Sequence, residues 1–118
     1  MGIDMQRILV AEDAELNREL LQEILKETYV VETAENGQQA LEKLDEYRNE
    51  IAAILLDLYM PSLDGFEVLA EMKEKGWIGR IPVLIISSEF AVEVENRCFE
   101  LGVSDFIHKP FESSIVKN

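Results

Sequence analysis

Short, β-branched runs of apolar residues alternate along the chain with stretches whose apolar positions recur every three or four residues. The runs are Ile8-Leu9-Val10, Tyr29-Val30-Val31, Ile51 to Leu56, Ile81 to Ile86 and Phe106-Ile107. They are mostly continuous rather than interleaved with polar residues, as expected of parallel strands covered on both faces. Between them the period lengthens. Leu16, Leu20, Leu21, Ile24 and Leu25 predict one helical face, and Ala40, Leu41 and Leu44, preceded by Asn36-Gly37, a second. Phe66, Val68, Leu69 and Met72 predict a third. Val94, Cys98 and Leu101 predict a fourth, with Gly102 placed to cap its C-terminus. Strand and helix in alternation imply right-handed crossovers and an α/β, doubly wound sheet. Five such units predict a five-stranded parallel sheet of strand order 2-1-3-4-5 with helices on both faces.

That topology says where chemistry belongs. Ligands bind outside the carboxyl ends of the strands, near the switch point between the first and third. Glu12 and Asp13 follow the first strand, Asp57 the third, Ser87 and Ser88 the fourth, and Lys109-Pro110 the fifth. Three carboxylates, two hydroxyls and an ammonium are therefore expected on one rim. Each has a plainer reading as well. Glu12 and Asp13 suit the N-terminus of the first helix, Ser87 and Ser88 an N-cap pair, Asp57 a loop cap and Lys109 a surface lysine.

Composition narrows the function. The chain has 118 residues, 47% of them apolar, with no linker or low-complexity tract, so one domain (1–118) with its own core is expected. The net charge of −13, from 24 acids against 11 bases, argues against direct nucleic-acid binding. No apolar stretch approaches the ~20 residues of a membrane helix, and the N-terminus lacks a secretory pattern. MGIDMQ is no myristoylation signal, because Gln6 stands where Ser or Thr is needed. The single cysteine, Cys98, excludes an intramolecular disulfide, fits a reducing, cytoplasmic setting, and reads as core.

Three carboxylates held together repel one another unless a cation joins them. A hard divalent ion such as Mg²⁺ takes oxygen ligands and needs only one or two carboxylates from the protein. It would neutralise an incoming phosphoryl group, leaving Asp57 to attack phosphorus. Lys109 and the Ser87 hydroxyl would serve the remaining oxygens.

The stretches ILVAEDAELNREL, ILLDLYMPSLDG, PVLIISS and FIHKPF, in this order and spacing, resemble the receiver domain of two-component response regulators over nearly the whole chain, in the flavodoxin-like form of chemotaxis receivers. The resemblance implies roles residue by residue. Asp57 matches the phosphoacceptor, Asp13 the direct metal ligand, Glu12 its neighbour acting through water, and the Tyr59 backbone carbonyl a further ligand of Mg²⁺ or Mn²⁺. Ser87 matches the hydroxyl that turns to the phosphoryl group, Lys109 the lysine that pairs with it, and Phe106 the aromatic switch. A cis bond is common at the position of Lys109-Pro110. The implied partners are a histidine kinase or phosphotransfer protein as donor, and an effector domain or protein downstream.

Some positions depart from the pattern. Glu12 stands where Asp is also common, and Ser88 where alanine is frequent. Tyr59 and Glu89 flank the site at positions that tune phosphoryl lifetime in the family. FESSIVKN, residues 111–118, spans about two turns of a usually longer last helix, so a longer parent protein is expected. A metal-dependent phosphatase with an aspartyl nucleophile is the enzymatic rival, but it would need a second acid where Tyr59 stands. A phosphorylation-independent binding module is the other alternative. His108 reads as a strand-end residue and Trp77 as a loop anchor against the third helix.

Overall fold

The computed structural model describes residues 5–88 and 91–109. Pro110, Glu89 and the segment 111–118 lie outside them, and with them the last helix, the cis bond and one lifetime-tuning position; so does Gly2 of the discarded lipidation signal. The described residues form β1 (Arg7–Ala11), α1 (Glu15–Leu25), β2 (Val30–Ala34), α2 (Gly37–Glu46), β3 (Ile51–Asp57), α3 (Gly65–Glu74), β4 (Val83–Ser87), α4 (Val92–Glu100) and β5 (Asp105–His108). The five strands are parallel in the order β2-β1-β3-β4-β5, the expected doubly wound sheet.

Alternate residues of each strand serve different layers, because successive strand side chains point to opposite faces. Leu9 and Ala11 pack with Ala40 and Leu44 of α2, Leu69 and Met72 of α3, and Cys98 of α4. Ile8 and Val10 pack with Leu21 and Leu25 of α1, together with Leu55, Ile86 and Ile107. Helices thus cover both faces, and all but one of the described helices lie on the first.

Three expectations need correction. The five apolar residues of α1 do not form one buried face. At about 100° per residue they span an arc of roughly 180°, wider than one contact stripe. Leu21 and Leu25 are buried, whereas Leu16 is 80% and Leu20 44% exposed. The second strand is not doubly buried, because β2 is the sheet edge. It begins one residue later than expected and runs on through Glu32-Thr33-Ala34, where Glu32 accepts ion pairs from Arg7 and Lys43 at 3.2 Å each. The fourth strand starts at Val83 rather than Ile81. Pro82 has no N–H to give the ladder, though its carbonyl accepts from Ile54 N–H at 3.0 Å.

The helix ends follow local chemistry. Asn36 caps α2, accepting from Gln39 N–H at 2.8 Å. Gly102, at φ +103°, closes α4 as expected. Trp77 is buried beside α3, its N–H donating to the Met72 carbonyl at 2.8 Å.

Candidate functional site

β1 stops at Ala11, but its ladder continues one step, Glu12 N–H donating to the Ala34 carbonyl at 3.0 Å. This draws the Glu12 side chain fully inside, while Asp13 stays exposed. Asp57 ends β3 and is buried. Ser87 ends β4, one residue past the Asp57–Ile86 register pair, and is also buried. Beyond β5, Lys109 N–H donates to the Ser87 carbonyl at 2.9 Å, which sets the lysine beside the same rim.

One carboxylate oxygen from each of Glu12, Asp13 and Asp57 lies within 4.8 Å of the others. The Lys109 ammonium reaches over them, 2.8 Å from Glu12 Oε1 and 3.2 Å from Asp57 Oδ2. Its contact with Glu12 Oε1 lacks hydrogen-bond geometry, so that buried oxygen has charge compensation but no hydrogen bond. One ammonium facing three carboxylates leaves a deficit of positive charge. That deficit, an unbonded buried oxygen and an all-oxygen donor set fit a hard divalent cation.

The electrostatics follow from crowding. Burial, then the hydrogen bond and the negative charge of Glu12, push the Asp57 carboxyl up to about 7. Burial also opposes ionisation of Glu12, but the neighbouring Asp57 carboxyl, the Lys109 ammonium and the Ala14 N–H outweigh it and hold Glu12 below its ordinary value. Burial disfavours the Lys109 charge, yet Glu12 and Asp57 together raise the lysine above its usual range. Of two facing carboxyls, Glu12 thus carries the charge and Asp57 keeps the proton more readily.

The β3–α3 connection holds Asp57 from the other side. Tyr59 N–H donates to Asp57 Oδ1 at 3.2 Å, while the Tyr59 side chain is half exposed. Asp64 and Glu67 form a reciprocal capping box that starts α3. Gly65 N–H donates to the Leu58 carbonyl at 2.7 Å, and a Cβ at Gly65 would lie 2.6 Å from the Asp57 carbonyl oxygen. Only glycine lets α3 begin that close to the strand end.

Phe106 is buried in the main core, its ring centroid 4.9 Å from that of His108. His108 is the last residue of β5, as expected, with Nε2 3.9 Å from Glu95 Oε2 of α4. Neither serine caps a helix: α4 is capped at Ala91, and Ser88 is exposed. Nor do Glu12 and Asp13 cap α1, whose N-cap is Ala14, although Ala14 N–H donates to Glu12 Oε2 at 3.2 Å.

Arg18 is a site residue that the sequence reading missed. Its Nη1 donates to the backbone carbonyls of Glu12 at 2.9 Å and Asp13 at 3.3 Å, bracing the acidic turn from the first turns of α1. An arginine in the first turn of the helix that follows two acids was the available signal. The Asp64-x-x-Glu67 spacing was likewise a readable capping signature.

With this geometry in hand, the comparisons are specific. Residues 8–117 match the family model of the response regulator receiver domain, and the chain belongs to that family. It is 36% identical over 110 residues to the two-component response regulator ORR5 of Oryza sativa subsp. japonica, covering 92% of this chain and 81% of that protein. It superposes on the chemotaxis response regulator CheY4 of Vibrio cholerae with a TM-score of 0.88 at 26% identity, covering 97% of this chain and 94% of that one. It superposes on the Mn²⁺-bound form of response regulator Rcp1 with a TM-score of 0.82 at 31% identity, covering 95% and 89%. The chain is a receiver domain of the two-component type, a signalling module with the flavodoxin-like fold, and its Glu12, Asp13 and Asp57 cluster matches a phosphoacceptor site. Among the described residues no helix is long and apolar enough to cross a membrane.

Proposed function

We propose that Asp57 is the phosphoryl acceptor and that the chain works in the cytoplasm, taking its phosphoryl group from a histidine kinase or a phosphotransfer protein. The observation that carries this reading is the convergence of Glu12, Asp13 and Asp57 under the Lys109 ammonium. Glu12, Asp13, Asp57 and the Tyr59 backbone carbonyl would hold Mg²⁺ or Mn²⁺, which when bound neutralises charge on the incoming phosphoryl group.

The chain's own residues then have distinct tasks. An Asp57 carboxylate oxygen forms a bond to phosphorus as the bond from phosphorus to the donor imidazole breaks, and the imidazole keeps that electron pair and takes a proton from solvent. Tyr59 N–H orients Asp57 through Oδ1. Lys109 exchanges a carboxylate contact for a phosphoryl oxygen, and the Ser87 hydroxyl donates to another. Phe106, on β5 two residues before His108, the register partner of Ser87, follows that hydroxyl and reports the change to α4 and β5. An effector domain or separate protein reads this surface.

Intact-mass measurement after incubation with acetyl phosphate tests the reading. The expected result is one phosphoryl adduct that requires Mg²⁺ and is absent from Asp57→Asn. An adduct of equal yield in Asp57→Asn would overturn it. Continuous release of phosphate from small phosphoesters would instead favour the phosphatase reading.

A further inference from the structure

A groove of about 610 Å³ runs between α2 and α3, lined by none of the carboxylates of the Asp57 rim. Its floor is apolar, from Leu41, Leu63 and Ala70, and its walls carry Glu42 and Asp45 on one helix and Glu67 and Glu71 on the other. On α2 the lining positions 38, 41, 42 and 45 fall on one helical stripe, so the groove extends for about two turns, or ~10 Å. Its upper end is fixed, because a Cβ at Gly37 would lie 2.1 Å from the Leu63 carbonyl oxygen, so α2 and the loop before α3 already touch there.

The charge of this groove is unbalanced. Asp45 pairs with Arg48 at 3.1 Å, and Glu67 is used in the α3 capping box. Among the described residues Glu42 and Glu71 have neither an ion pair nor a side-chain hydrogen bond. Among the described residues Lys75 is the single cation lining the groove. Half-buried Leu41 and Leu63 beside two uncompensated carboxylates call for an occupant that is apolar along one stripe and cationic along its flanks. A helix laid in the groove presents its residues at that spacing.

We infer that the α2–α3 groove docks a basic amphipathic helical segment of a partner protein, through residues other than those of the phosphoacceptor rim. Leucines of the segment cover Leu41, Leu63 and Ala70, and its lysines or arginines meet Glu42 and Glu71. This inference does not depend on Asp57 accepting phosphate.

The probe is a synthetic 14-residue helical peptide with leucines at i, i+3, i+4 and i+7 and lysines elsewhere, titrated into the ¹⁵N-labelled full chain. Amide shifts are expected over residues 38–45 and 63–75. A scrambled peptide of the same charge is expected to bind at least 10-fold more weakly, which separates docking from general attraction to an acidic protein. The double variant Glu42→Lys/Glu71→Lys should weaken binding at least 10-fold. Glu19→Lys/Glu23→Lys on α1, with the same change in net charge, should weaken it less than 3-fold. Glu42→Gln/Glu71→Gln, which removes the two carboxylates without introducing cations, should fall between them and guards against misfolding of the reversal variant. Shifts centred elsewhere, equal binding of the scrambled peptide, or equal effects of the two charge reversals would each overturn the inference.

Discussion

Lys109 and Asp57, 52 positions apart in the chain, meet at 3.2 Å on the carboxyl rim of the sheet. The same ammonium stands 2.8 Å from Glu12, whose side chain is fully buried. Lys109 is therefore the counter-ion of the metal-free site, and its removal leaves two buried carboxyls facing each other. Breaking such a pair from one side is strongly destabilising; because Lys109 is partly exposed, we expect metal-free Lys109→Ala to lose about 1–3 kcal/mol in urea unfolding. Added Mg²⁺ should recover most of that loss by binding the folded state. If Mg²⁺ stabilises the variant no more than wild type, the lysine does not balance this charge. The variant should still be phosphorylated on Asp57, with smaller chemical-shift changes around Phe106 than wild type shows.

The pH dependence of the metal-free protein follows from the same crowding. The Asp57 carboxyl rises from an ordinary 3.8 to about 7 on folding. The folded chain holds this proton more tightly than the unfolded chain, so the stabilisation is complete below the ordinary value and is lost as pH rises through about 7. Glu12 is lowered, so its contribution is lost only in acid, below its ordinary 4.5. Lys109 is raised, so its contribution is lost only above its ordinary 10.5. Between about pH 5 and about pH 8, Asp57 thus sets the slope. Denaturation without divalent cations should show wild type losing ~1–3 kcal/mol across that window and Asp57→Asn losing much less. A wild type that gains stability over the window would contradict the inverted order of the two carboxyls.

Arg18 makes a case for bracing at a distance. It touches neither Asp57 nor Lys109, but it fixes the Glu12 and Asp13 carbonyls and with them the turn that aims both carboxylates. Outer-sphere groups of this kind are worth ~10-fold in metal affinity. Arg18→Ala should therefore weaken Mg²⁺ binding about 10-fold, measured by calorimetry, with helix content unchanged and with partial rescue in Arg18→Lys. Asp13→Ala should abolish the binding. Equal affinity in Arg18→Ala and wild type would reduce Arg18 to an ordinary helix residue.

The rim was legible in the sequence because a parallel, doubly wound sheet sends the carboxyl end of every strand to one side. Reading the residue after each apolar run was enough to collect Glu12, Asp13, Asp57, Ser87 and Lys109. The order of the strands was legible for the same reason. What escaped depends on rotation and depth. The α1 leucines cover a half-circle, and only packing decides that Leu21 and Leu25 go inward while Leu16 and Leu20 stay out. The β2 run reads as apolar at its start, and only its place at the sheet edge frees Glu32 to pair with Arg7 and Lys43. Arg18 escaped because its partners are backbone carbonyls, and its spacing from the two acids is only a weak mark of them.

Gly65 joins the fold to the site most tightly. A Cβ there would stand 2.6 Å from the Asp57 carbonyl oxygen and 2.7 Å from the Leu58 Cα, both backbone atoms that cannot swing aside as a side chain could. Gly65→Ala must move the start of α3 away from β3, or move the strand end itself. Overpacking of this kind costs about 1–3 kcal/mol, which urea unfolding would register. The strand end carries Asp57, and the intervening loop supplies the Tyr59 N–H that orients it. The same substitution should therefore slow Mg²⁺-dependent phosphorylation even where the variant is fully folded. An Ala added at Gly79, where a Cβ meets nothing within 4 Å, is the matched control and should leave the phosphorylation rate unchanged. If Gly65→Ala loses stability but keeps the wild-type rate, the close approach serves packing alone and Asp57 is oriented from the β1 and β5 side.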